Sequence, residues 1–205
     1  MPVDALAGIT PFIKELMLLI NMVMAGLVLS AITARFLYTS VSLEGEAFWI
    51  IRTSPVKISR FLWSKFLYGC TGITVLIVLV VFFTNLAVNV TGQLMYASMA
   101  TILMLCISVS GLGTGLGALY PKFRYENIAS VSMSIGGMVF MILAFLVVLV
   151  TLSLEVWIFY LWHAGPDISG KIQIAICLML IAVTNVTAFI LPMKAGAKRL
   201  SRSLS

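Results

Sequence analysis

The sequence is short of the residues that carry chemistry. Lys, Arg, Asp and Glu together make up 10% of its 205 residues, and there is a single histidine. A soluble domain carries about 25% charge, so a soluble globular class is excluded. Cys70, Cys106 and Cys177 lie far apart in apolar surroundings. With no Cys-x-x-Cys and no Cys/His spacing, neither a metal site nor a disulfide framework is indicated, and the three are read as small core residues. His163 has no partner spacing for a metal or a triad and is read as structural. No nucleophile–base pair or carboxylate pair converges, so no catalytic residue is assigned. No Walker-type phosphate loop is recognised. The amino end, Met1-Pro-Val-Asp-Ala-Leu6, lacks the basic region of a signal peptide.

Apolar residues fill the space. They make up 61% of the chain, and several runs approach the 20 or so residues that cross a bilayer as a helix. The expected fold is all-α: one polytopic transmembrane domain over 1–205, with spans at about 12–38, 66–86, 94–119, 128–152 and 171–191. Pro192 is expected to stop the last span, leaving a basic tail from Lys194 to Arg202. Surface helices are expected over 43–64, and a mixed external segment over 153–170, where Trp157, Phe159, Tyr160 and Trp162 alternate with Glu155, His163 and Asp167. On these bounds no span carries a charge near its middle, which weakens proton-coupled transport. Lys14 and Glu15 read as an interfacial pair.

Basic residues set the orientation. Arg35, Arg52, Lys57, Arg60, Lys65, Lys122, Arg124, Lys194, Lys198, Arg199 and Arg202 fall on one side, and only Lys14 and Lys171 on the other. The first side is cytoplasmic, the carboxyl end with it, and five spans put the amino end outside. An external amino end without a signal peptide fits a fragment or divergent half of a longer protein. The net charge of +6 reports topology and contact with anionic lipid, not nucleic-acid binding.

The richest charged stretch is 42–66. Glu44 and Glu46 suit the start of a helix, and Ser54-Pro55 reads as an N-cap followed by proline at the first helical position. Lys57, Arg60 and Ser64 share one face, and Ile58, Phe61 and Leu62 another. With Phe48, Trp49 and Trp63, this describes two short amphipathic helices along a membrane surface. In the third span Gly111, Gly113, Gly115 and Gly117 give small-xxx-small pairs. Gly113-x-Gly115-x-x-Ala118 matches the loose dinucleotide pattern, but that motif needs a preceding strand, so helix packing is the better reading, and Gly136-Gly137 suggests the same in the next span. Asn21, Asn85 and Asn185 are read as interhelix hydrogen bonders.

Two of these stretches carry a family resemblance. Ser42-Leu-Glu44-Gly45-x-x-Phe48-Trp49-x-x-Arg52-x-Ser54-Pro55, followed by Lys65-Phe66, resembles the cytoplasmic motif of ABC (ATP-binding cassette) exporter membrane subunits of the ABC-2 type. Gly117-Ala-Leu-Tyr-Pro121-x-Phe123-x-x-Glu126-Asn127 resembles their second motif, with Ile128 where proline is expected. The motifs cover about a sixth of the chain. The resemblance implies the C-terminal half of such a permease: spans two to six of a six-span half, with 42–66 in the place of the coupling helix. It implies contact with a partner ATPase through Glu44, Gly45, Glu46, Trp49, Arg52, Pro55, Lys57 and Arg60, and a second cytoplasmic motif at Pro121, Phe123, Arg124, Glu126 and Asn127. The expected function is the permease component of an ABC exporter in a bacterial or archaeal plasma membrane. ATP and Mg would act through a separate ATP-binding cassette subunit, with no cofactor in this chain. A second transmembrane half or a homodimer partner and membrane lipid complete the expected partners. The alternative, from a different class, is a structural or scaffolding subunit of a larger membrane complex, with a membrane enzyme third.

Overall fold

The computed structural model describes residues 3–47, 58–90, 92–122, 127, 129–165 and 167–202, with the backbone alone at 3–15, 46, 47, 163 and 202. It is all helical, with no strand among the described residues. Five helices are long and apolar enough to cross a membrane: α1 (Val3–Ser40), α2 (Ile58–Ala87), α3 (Gln93–Leu119), α4 (Ile135–His163) and α5 (Ile168–Arg202). Lipid offers no partner to a backbone N–H or C=O, so apolar segments of this length satisfy themselves as helices.

α3 is the hub and packs against α1, α2, α4 and α5. Around it one apolar cluster joins Met22, Leu29 and Tyr38 of α1, Ile77 and Val81 of α2, Ile102 and Val109 of α3, and Phe140 and Val148 of α4. Contact this close needs small residues, because association in lipid rests on van der Waals contact and interhelix hydrogen bonds. A Cβ on Gly115 would run into the Pro192 backbone of α5, and one on Gly117 into the Tyr38 carbonyl of α1. A Cβ on Gly113 would lie 2.6 Å from the Thr33 methyl, and one on Gly136 2.6 Å from the Tyr120 Cβ.

The asparagines bridge helices. Asn21 donates to Thr84 Oγ1 at 2.8 Å, and Asn85 donates to Ser98 Oγ at 2.7 Å. Asn185 accepts from Ser108 at 2.6 Å and donates to Thr151 at 3.0 Å, tying α5 to α3 and α4. The three cysteines are buried and free.

Two helix bounds differ from the sequence expectation. α5 does not stop at Pro192 but runs on to Arg202. Proline inside a helix costs about 3 kcal/mol. The far side of Pro192 is held by burial of Met193 and Leu200 against Val41, Leu62, Phe66 and Ala118. The stretch 194–202 is therefore a docked helix end and not a loose tail. α4 begins at Ile135, after a short helical turn at Ala129–Ser132, because Ser134 caps it and accepts from the Gly137 N–H. It continues to His163, so 153–163 is helical rather than mixed.

Candidate functional site

The basic end of the bundle draws together segments distant in sequence. A 3-10 turn, Ser42–Ala47, follows α1. Gly45 sits there at φ 48°, ψ −128°, a conformation essentially reserved for glycine. The turn delivers Glu44 to an ion pair with Lys65 of α2, whose ammonium also lies 5.6 Å from the Phe61 ring centroid. Two residues earlier, buried Ser42 accepts a hydrogen bond from the Lys122 N–H at 3.1 Å. The segment after α1 is thus joined both to α2 and to the segment after α3.

The lock continues inward. Tyr38 is fully buried, stacks on Phe140 with centroids 5.9 Å apart, and has its hydroxyl 3.2 Å from Ser134 Oγ. Arg199 on the extended end of α5 lies over the Tyr120 ring at 5.3 Å. Trp63 and Phe66 of α2 meet Phe189 of α5 edge-on, at 5.8 and 5.1 Å. Arg60, Lys122, Lys194, Lys198 and Arg199 remain exposed on this end. Asn127 is exposed too, and its side chain accepts from the Ala129 N–H.

Of the residues singled out from sequence, Glu44, Gly45, Arg60, Pro121 and Asn127 fall at this end. Trp49, Arg52, Ser54, Pro55, Lys57, Phe123, Arg124 and Glu126, and the side chain of Glu46, lie outside the described residues, as do the side chains of Lys14, Glu15 and His163. Sequence reasoning missed Tyr38 and Ser42 as ties: both lie in or beside an apolar run, and neither has a partner nearby in sequence.

The other end holds a buried carboxylate. Glu155 sits inside α4, 9% exposed, and accepts from the Thr101 hydroxyl of α3 at 2.8 Å. Its second oxygen, Oε2, is buried without a partner. The expected bound of this span is therefore corrected: the helix extends past Glu155, which was read as lying outside it, and carries the acid in its last turns rather than near its middle. The signal was present in the sequence. Glu155, Ile158, Phe159 and Trp162 fall at i, i+3, i+4 and i+7, a helical stripe, and all four line one cavity.

Fold and polar ties together define a polytopic helical membrane protein. The model of a family described as "Putative ATP-binding cassette" matches residues 5–203, and the chain belongs to that family. No match was found among curated proteins or among solved structures. The ABC-transporter relation expected from the motifs is thereby shown, but the finer assignment is overturned, since the matching family is not a membrane permease or ABC-2 family. Motifs covering a sixth of the chain carried that assignment, whereas the family match spans nearly all of it. With it fall the exporter-permease function and the scaffold alternative. The expectations that the chain itself has no ATP-binding role, and that ATP and Mg act only through a partner, fall on the same match. The glycine-rich stretch does not fit a nucleotide, however. Gly111 to Gly117 lie within α3, where the Phe189 ring, the Thr33 methyl and the backbones of Pro192 and Tyr38 fill the space a phosphate would need.

Proposed function

We propose that this chain is a membrane-embedded part of an ABC-type system whose basic end, turned to the cytoplasm, is the docking face for another ABC subunit. The observation that supports it is the interlock at that end. The Glu44–Lys65 pair and the Ser42–Lys122 hydrogen bond tie the segment that follows α1 to α2 and to the segment that follows α3. Arg60, Lys122, Lys194, Lys198 and Arg199 are exposed at the same end, and basic clusters belong on the cytoplasmic side. Within this reading the proposed contact residues are Glu44, Gly45, Glu46, Trp49, Arg52, Pro55, Lys57 and Arg60 of the first motif and Pro121, Phe123, Arg124, Glu126 and Asn127 of the second. A second transmembrane half, or a second copy, would share the membrane with it.

The test is recovery of an ATP-binding cassette subunit with the tagged full chain from membranes in mild detergent. Glu44→Lys and Lys65→Glu each put like charges together, which disfavours the turn and any surface built on it. Each is expected to cut recovery several-fold, and the double swap to restore it. Unchanged recovery in both single variants would remove the docking role from this end.

A further inference from the structure

A cavity of about 590 Å³ lies between the opening turns of α3, the last turns of α4 and the middle of α5. Its size falls within the ~300–1,000 Å³ of small-ligand sites. It lies at the opposite end of the bundle from the interlock: Thr101 stands about 27 Å along α3 from Leu119, at 1.5 Å per residue. The walls are apolar and include Leu94, Met104, Ile158, Phe159, Trp162 and Leu178. Gln93, Thr101 and Glu155 supply the polar groups.

The carboxylate is only half satisfied. Thr101 serves Oε1, while Oε2 is buried with no hydrogen-bond partner. The ion pair found among the described residues is Glu44–Lys65, so no described cation neutralises Glu155. A buried, unpaired carboxylate oxygen is costly, and Glu155 is one of the residues that line the cavity. A hard divalent ion does not suit the site, because Ca²⁺ takes about 6–8 oxygen ligands and the cavity presents mainly hydrocarbon. A ligand with one cationic N–H donor and a sizeable apolar body suits both the acid and the walls.

We infer that this cavity binds a hydrophobic organic monocation, an alkyl- or arylalkylammonium whose N–H donates to the Glu155 carboxylate while its apolar body packs against α3, α4 and α5. The site is distinct from the proposed docking end and does not depend on it. Its test involves no other subunit.

Equilibrium dialysis of the purified full chain in mild detergent compares 2-naphthylmethylammonium with the uncharged 2-naphthylmethanol. The ammonium is expected to bind at least tenfold more tightly. Glu155→Gln keeps the shape and removes the charge. It is expected to weaken the ammonium tenfold or more and to leave the alcohol within twofold. Ala97→Phe, which fills the cavity from α3, is expected to abolish both. Equal binding of the two probes to the unaltered chain is the result for a cavity that holds only a lipid tail, and it overturns the inference. Absence of saturable binding overturns it as well. So does an unchanged ammonium affinity in a folded Glu155→Gln chain. The comparison on the unaltered chain needs no variant to fold.

Discussion

The two ends of the bundle use the same kinds of residue to opposite effect. At the basic end Glu44 meets Lys65, Ser42 the Lys122 N–H, Tyr38 Ser134, and Arg199 lies over Tyr120; further in, the buried hydroxyls of Thr33 and Ser110 have no hydrogen-bond partner. Glycines of α3 bring backbones into contact there, and the far end of α5 is packed down past its proline. At the other end α3, α4 and α5 line a cavity, and Glu155 keeps one oxygen unmatched. The difference teaches that a small hydroxyl such as Thr33 can be packed in unpartnered, whereas polar and charged groups that find a mate become ties between helices. A polar or charged group becomes available to a ligand where packing stops short.

The comparison is broken most severely at the glycine contact. Gly115→Leu should place side-chain atoms in the Pro192 backbone, which cannot swing aside as a side chain can. Overpacking of this kind costs about 1–3 kcal/mol and occasionally more. A large fall in the thermal midpoint in detergent, with loss of monodisperse protein, is expected. Gly72 has open space where its Cβ would be, so Gly72→Leu is the control and should leave the midpoint unchanged. Equal behaviour of the two variants would dismiss the close approach of α3 and α5.

A middle-sized effect is expected where α5 is tied to α3 and α4. Asn185→Leu removes the bonds to Ser108 and Thr151. Interhelix hydrogen bonds in membranes average about 0.6 kcal/mol and reach about 1.7, and the two lost here set an expectation near the upper figure. Denaturation in mixed micelles measures it. A more stable variant would show that the amide is retained for a role other than packing.

The smallest effect sharpens the comparison at the ion pair. Glu44 and Lys65 are 27% and 31% exposed, and pairs near water contribute about 0.2–1 kcal/mol. A double-mutant cycle with Glu44→Gln and Lys65→Met should give a coupling energy in that range, falling as salt is added. Coupling indistinguishable from zero at low salt would leave the 3-10 turn held by Ser42 and Gly45 alone.

Much of the fold was legible because lipid leaves the chain few options. Long apolar runs must become helices to satisfy their own backbone, so the helical class and the existence of five spans could be read from composition and run length. The bridging asparagines were legible for a related reason: an amide in an apolar helix has little to bond to except another helix. Helix ends were less legible. Pro192 and the aromatic-rich stretch after Leu152 look like stops when read locally. The helix carries on through both because Met193 and Leu200 dock on α2, and because Glu155, Ile158, Phe159 and Trp162 share a face.

The sequence by itself determined the helical membrane class, the charge asymmetry of the loops and the narrow glycine face of α3, since each depends on residue type and short spacing. Only the tertiary structure decided which polar groups meet. Ser42 and Lys122, Tyr38 and Ser134, and Thr101 and Glu155 are separated by 80, 96 and 54 residues. Local spacing carries no record of a contact made across helices. The same holds for the unmatched oxygen of Glu155, which is defined by where three helices fail to close and not by any residue near it in the chain.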